Sequence, residues 1–214
     1  MSPPAPQLRV ISGGSPSEEG ELSERELVHA FSAGDPAAFG QLIRRHQDTV
    51  FRVVRRYASS LDDARDLTQR AFLQAFEAAE RALPRLAADE QDVPFKAWVL
   101  RIAVNLGKNH ARDAGRWLRA PVAALEAERS PTAAPLEALE RAEQEALTRR
   151  AVLALPTRQR EVFALRIDGG LPFAEVAQTL GITEGNAKAH FHHAVKRLKE
   201  EVAKLSTPSK GETT

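Results

Sequence analysis

The amino-acid sequence predicts an all-α fold of two small helical domains joined by a flexible linker. Three observations carry that prediction. The 214 residues include 36 alanines and 23 arginines but only one tyrosine, two tryptophans and 12 glycines. That composition favours helices and is poor material for strands. Apolar residues recur at helical spacing on both sides of a central stretch. Within that stretch Pro121, Pro131 and Pro135 sit among alanines and glutamates, which is linker composition.

In chain order, residues 1–23 are rich in Pro, Ser, Gly and Glu without periodicity and read as a disordered tail. A helical pattern begins at Glu24. Asp35-Pro36 is a helix start, with proline at the first position where its missing N–H costs nothing. Phe39, Leu42, Ile43, Val50, Val53, Val54 and Tyr57 follow at near-helical spacing. Ser60-Leu61-Asp62-Asp63 has the form of a capping box. The helix it opens presents Leu67, Ala71, Phe72, Ala75, Phe76 and Ala79 on one apolar face. Pro84 to Pro94 reads as a loop. Phe95 to about Arg116 reads as a further helix, with Trp98, Val99, Ile102, Ala103 and Leu106 inward. The first domain is thus residues 24–118 and the linker 119–135.

The second domain, 136–205, regains a helical stripe over 136–155. Pro156 opens the next helix, with Val162, Phe163 and Leu165 inward, and Gly169-Gly170 closes it. Two helices follow, about 173–180 and 184–204, joined at Gly181-Ile182-Thr183, before a second tail at 206–214. A short helix, a glycine able to take a positive φ, an apolar plug and a threonine N-cap form a helix-turn-helix signature. In that arrangement the second helix can lie in the DNA major groove. Its exposed positions are Asn186, Lys188, Ala189, His192, His193 and Lys196, while Ala187, Phe191, Ala194, Val195 and Leu198 pack inward.

The net charge of +1 conceals strong segregation. Residues 95–119 carry a balance of +5 and residues 186–199 a balance of +4, whereas 1–26 and 120–148 carry −3 and −4. Two basic stretches far apart in sequence suggest two contacts with one polyanion. The first of them pairs aromatic and amide groups with cations: Phe95, Lys96, Trp98, Arg101, Asn105, Lys108, Asn109, His110, Arg112 and Arg116. That mixture suits single-stranded bases, although Trp98 lies on the apolar stripe and reads as a core anchor.

Other chemistry is poorly supplied. Zero cysteine removes disulfides, thiol nucleophiles and cysteine-rich zinc sites. His190 and His193 lie three apart, but a zinc site needs a third and usually a fourth ligand, and none is evident. No metal or cofactor is expected. A hydrolase built on the histidines would lack a nucleophile partner. No uncharged run approaches the roughly 18 residues of a membrane span, and Met1-Ser2-Pro3-Pro4 is unlike a signal peptide, so a cytoplasmic protein is expected.

Two blocks carry a family resemblance. Asp63-Ala64-Arg65-Asp66-Leu67-Thr68-Gln69-Arg70-Ala71-Phe72 and Phe95-Lys96-Ala97-Trp98-Val99-Leu100-Arg101-Ile102-Ala103-Val104-Asn105 resemble the second conserved region of bacterial sigma factors. Leu155-Pro156-Thr157-Arg158-Gln159-Arg160-Glu161-Val162-Phe163 with the helix-turn-helix is similar to their fourth region. The order, with only a short linker between, resembles the extracytoplasmic-function (ECF) group of the sigma-70 family.

The resemblance implies a non-enzymatic subunit that binds core RNA polymerase, recognises −35 and −10 promoter elements and promotes strand opening. It implies that Asp63, Asp66, Gln69 and Arg70 dock on the clamp coiled coil of the largest polymerase subunit, with a second contact to the flap. It places Asn105, Lys108, Asn109 and Arg112 toward the −10 strand, and Asn186, Lys188, His192, His193 and Lys196 toward the −35 element. An anti-sigma factor is implied as a further partner. This sequence departs from the family pattern at three places: Arg70 stands where glutamate is usual, the 84–94 segment is longer, more acidic and without its aromatic, and histidines replace arginines on the recognition helix. The rival reading is a repressor or activator that binds duplex DNA alone; it has no need of the carboxylate face and strand-binding helix in residues 62–110.

Overall fold

In a computed structural model, residues 22–88, 95–117, 148 and 150–206 are described, and every regular element among them is helical. Helix α1 (Glu24–Ser32) starts at a reciprocal capping box in which Ser23 Oγ accepts from Glu26 N–H and the Glu26 carboxylate accepts from Ser23 N–H. Ser-x-x-Glu is the spacing that satisfies two otherwise orphaned donors. Helix α2 (Pro36–Arg55) is capped by Asp35, whose Oδ1 accepts from Ala37 N–H at 2.9 Å. Helix α3 (Leu61–Ala88) opens on the expected box: Ser60 N–H donates to Asp63 Oδ2 at 3.1 Å and Asp63 N–H to Ser60 Oγ at 3.0 Å. Helix α4 spans Phe95–Trp117.

These four helices bury Leu27, Phe39, Leu42, Val50, Val53, Val54, Leu67, Phe72, Phe95, Val99, Leu100 and Val104 in one apolar cluster. Each such side chain removed from water stabilises the fold by about 1.5–3 kcal/mol. A single carboxylate ties three helices together. Glu24 Oε2 lies 2.6 Å from His46 Nε2 on α2, while its Oε1 accepts the Lys96 N–H at the start of α4 at 3.1 Å. An anion at a helix N-terminus also meets the positive end of its dipole.

Two expectations are corrected. Pro84 does not open a loop: α3 runs through it to Ala88. Proline removes one intrahelical bond, but the surrounding alanine, arginine and leucine residues favour the helix strongly enough to continue it. Phe76 does not share the buried face of Leu67 and Phe72. It is 48% exposed at the margin of the core, where its ring meets Phe31 and Phe39 at 5.7 and 5.2 Å.

In the second half, residues 150–153 are helical and precede α5 (Thr157–Phe163), which continues as a π-helical turn over Ala164–Asp168. Its widened ladder is seen in Gly169 N–H donating to Ala164 C=O at 2.9 Å. Gly170 then takes φ +67°, and Leu171 N–H reaches back to Leu165 C=O at 3.1 Å, ending the helix as a left-handed cap does. Helix α6 (Phe173–Leu180) and helix α7 (Glu184–Ser206) complete the described residues.

The two halves pack on each other. Val162, Leu165, Leu171, Val176, Ala177 and Ala187 belong to the same apolar cluster as the α1–α4 core, whereas Val152, Leu155 and Ala194 form a separate cluster with Phe163 and Leu198. Residues 119–135, expected to be the linker, lie outside the described residues, as do residues 1–21 and 207–214 of the expected tails.

Candidate nucleic-acid interface

The helix-turn-helix is formed as its sequence requires. Gly181 sits at φ 65°, ψ 41° and closes α6, a conformation that costs residues with a Cβ about 1 kcal/mol or more. Ile182 N–H donates to Ala177 C=O at 3.0 Å, and Thr183 Oγ1 accepts from Asn186 N–H at 3.2 Å, starting α7. Ala187 and Ala194 are buried, and Phe191 packs its ring against Phe173 at 5.5 Å and Phe163 at 6.2 Å. That contact fixes the rotation of α7. Asn186, Lys188, His192, His193 and Lys196 are all exposed, away from buried Ala187 and Ala194. Lys188 Nζ rests 2.7 Å from Glu184 Oε1, an exposed pair that screening leaves weak and easily exchanged for another anion.

On α4, Asn105, Asn109 and Arg112 are exposed, so two amide edges and a guanidinium share a solvent-facing strip. Lys108 differs. Its Nζ is 2.8 Å from Glu161 Oε1 on α5, with the lysine side chain 33% and the glutamate 2% exposed. Trp98 is half-buried against the core, with its ring 5.6 Å from Phe95, in agreement with an anchoring role.

On α3, Asp66, Gln69 and Arg70 are exposed on the side away from buried Leu67, Ala71 and Phe72. Arg70 Nη1 lies 3.4 Å from Asp66 Oδ2, so the arginine pairs with the acid one turn before it. Asp63 does not stand free with them: it closes the α3 capping box and lies 3.7 Å from His110 Nε2. Leu73, 56% exposed, extends this face with an apolar surface that the sequence reading did not single out.

Among the described residues, no group of three or more His, Cys, Asp or Glu side chains could hold a metal ion. No helix there is long and apolar enough to cross a membrane.

Comparison with known proteins follows the two halves. Residues 42–116 match the family model described as Sigma-70 region 2, and residues 145–198 match Sigma-70, region 4. The ECF RNA polymerase sigma-E factor of Escherichia coli is 31% identical over 195 residues, which cover 86% of this chain and 97% of that protein. The chain belongs to the ECF group of the sigma-70 family. The ECF RNA polymerase sigma factor BldN of Streptomyces coelicolor is 34% identical over 178 residues, 81% of this chain; the match spans 63% of BldN's length. The fold of this ECF sigma factor is shared with CnrH, solved in complex with the cytosolic domain of CnrY, at a TM-score of 0.62 and 23% identity over 86% of this chain and 99% of that one. All the residues singled out for polymerase and −10 contact lie inside the region 2 match, and all those on the recognition helix inside the region 4 match.

The sequence reading missed the groups where the halves of the sigma factor meet. Arg56 donates from Nε and Nη2 to the two oxygens of Asp168, both at 2.8 Å. Glu161, already paired to Lys108, also accepts from Arg158 at 2.8 Å. Arg160 donates to the carbonyls of Val152, Leu153 and Leu155, and its guanidinium carbon lies 5.8 Å from the centre of the Tyr57 ring. Tyr57 is 1% exposed with its hydroxyl unpartnered. Burial first, then the nearby Glu161, pushes that hydroxyl's pKa upward, so it stays neutral. The one available signal was that Glu161 and Asp168 fall on the inward stripe with Leu165, where an acid needs a partner.

Proposed function

We propose that this sigma factor loads on core polymerase through the exposed α3 face of Asp66, Gln69, Arg70 and Leu73, meeting the clamp coiled coil, with the second half meeting the flap. Helix α7 then reads the −35 element in the major groove through Asn186, Lys188, His192, His193 and Lys196. Asn105, Lys108, Asn109 and Arg112 of α4 receive the −10 strand as it opens. The reading requires no covalent chemistry and no cofactor, and it places the protein in the cytoplasm with an anti-sigma factor as a further partner.

One observation carries it. The rotation that Phe191 imposes on α7 exposes a row of amide, cationic and imidazole groups at a helix-turn-helix, within a chain whose other half matches region 2. A duplex-binding repressor needs the first feature but not the second. Two modest grips on one tether act as a single strong, spaced recognition device. Because both touch phosphates, binding falls steeply as salt rises.

The test is retention of the chain by core polymerase on gel filtration, followed by promoter-DNA capture with and without core. Capture that depends on core supports the assignment. Sequence-specific capture by the chain alone, unchanged by core, favours the repressor.

A further inference from the structure

We infer that α7 grips DNA phosphates through His192 and His193 as imidazolium ions, so that DNA engagement takes up protons and tightens as pH falls from about 8 to about 6. The consequence for transcription rests on the proposed promoter function; the phosphate grip itself does not.

Histidine is the side chain whose charge ordinarily changes within that interval. Three of the six histidines, His190, His192 and His193, stand close together on α7. His192 and His193 are exposed, with their rings 6.0 Å apart and inclined at 74°, whereas His190 is half-buried. His192 lies four residues after Lys188 and four before Lys196, so the three stand about 6 Å apart along one stripe of the helix. A strand drawn in by the two permanent cations passes the imidazole between them. His193 stands one turn from Lys196 and Arg197.

No carboxylate of the protein occupies these rings. Among the described residues, the histidines paired with an acid are His46 with Glu24 and His110 with Asp63, both in the first half. On α7 itself Glu184 is taken by Lys188 and Glu201 by Lys204, while Lys199 and Glu200 lie nearly two turns beyond His193. The charged groups on the elements packed against α7 are Arg150, then Arg158, Arg160 and Glu161 of α5, and Glu175 of α6. Glu161 is held by Lys108 and Arg158, and Arg160 by three backbone carbonyls. The open partner for His192 and His193 is an anion from outside.

The chemistry of the ring supplies the proton coupling. Neutral imidazole has one N–H donor and one acceptor nitrogen, whereas imidazolium has two donors and a full charge. Phosphate oxygens only accept, so they match the charged ring, and a nearby anion favours that form. The complex therefore holds more protons than its free components. Affinity rises as pH falls, by up to about tenfold per pH unit for each proton taken up, and levels off once both states are protonated.

Phosphates are common to all DNA, so a short duplex of mixed sequence is a sufficient probe for the full chain without polymerase. Fluorescence anisotropy should show at least about tenfold tighter binding at pH 6 than at pH 8. The fall of log K with log salt should also be steeper at pH 6, by about 0.9 for each phosphate gained. His192→Gln with His193→Gln should remove most of both changes. His192→Arg with His193→Arg should bind tightly at either pH, and His29→Gln, on exposed α1, should behave as the parent. A double glutamine variant as pH-dependent as the parent overturns the inference, as does a double arginine variant that keeps the dependence. Absence of duplex binding at pH 6 in low salt overturns it too. A pH dependence without the steeper salt slope overturns the phosphate contact. If core polymerase fails to retain the chain while the pH-dependent grip persists, the proposed function fails and this inference stands.

Discussion

Arg56 and Asp168 stand 112 residues apart in sequence and meet through two parallel hydrogen bonds of 2.8 Å each. The arginine side chain is 25% exposed and the aspartate 6%, so the pair marks the edge of a seam rather than the middle of a core. The forked geometry uses the planarity of guanidinium, which lysine cannot reproduce. Together with Lys108–Glu161 and the shared apolar cluster, the pair joins the second half to the first.

Lys188→Ala tests the recognition helix. Lys188 is exposed near the start of α7, where helices of this type reach base edges. Promoter binding by the polymerase complex should weaken by about 1–3 kcal/mol if the contact is to a base. Filter binding across sequence variants checks it, and unchanged affinity removes Lys188 from the interface.

Asn105→Ala separates opening from docking. The exposed amide offers a donor and an acceptor to an unpaired base edge. Closed-complex formation should persist while permanganate-reactive open complex declines. Equal loss of both would assign Asn105 to folding.

Asp66→Lys reverses charge on the α3 face without touching the core. It removes the exposed pair with Arg70, worth no more than about 1 kcal/mol, so the helical circular dichroism should hold. Affinity for core polymerase should drop. Retained affinity would exclude this face as the docking surface.

How much of this was legible in sequence depends on how local the determinant is. Asp35-Pro36, Ser60 to Asp63 and Gly181 each set a helix end with atoms a few residues apart, and each does so as its residue types dictate. The exposed row on α7 followed from periodicity alone. Pro84 misled because the proline rule competes with the propensity of the whole helix around it. Phe76 misled because a position at the margin of an apolar stripe is decided by which neighbours arrive, here Phe31 and Phe39. The Lys108–Glu161 and Arg56–Asp168 pairs leave no local pattern, since nothing near Lys108 in sequence announces a carboxylate on another helix.

Glu24 gives the first half an acid-sensitive joint. Burial alone would raise its pKa, but the hydrogen bonds from His46 and the Lys96 N–H outweigh it and hold the carboxyl below its ordinary 4.5. A depressed carboxylate contributes stability above that value and loses it as pH falls through the lower folded value. Glu24→Gln should cost about 1–3 kcal/mol at neutral pH in urea unfolding and flatten the acid limb of the stability curve. An unaltered acid limb would show that the joint is not ionic.

Gly107→Ala probes the packing of α4 on Tyr57. A methyl there would stand 2.6 Å from Tyr57 Cγ, with the ring held at 1% exposure. Overpacking of this kind typically costs about 1–3 kcal/mol. Thermal unfolding should register it, and full stability would mean that the ring can shift.

The most direct test of the account is run-off transcription of fragmented genomic DNA by core polymerase, with and without this chain, followed by sequencing of RNA 5′ ends. The account predicts new start sites that appear only when the chain is added and that share two upstream motifs at fixed spacing. It also predicts their loss with Asp66→Lys. Sequence-specific duplex binding by the chain alone, with no new start sites when core is present, would contradict it.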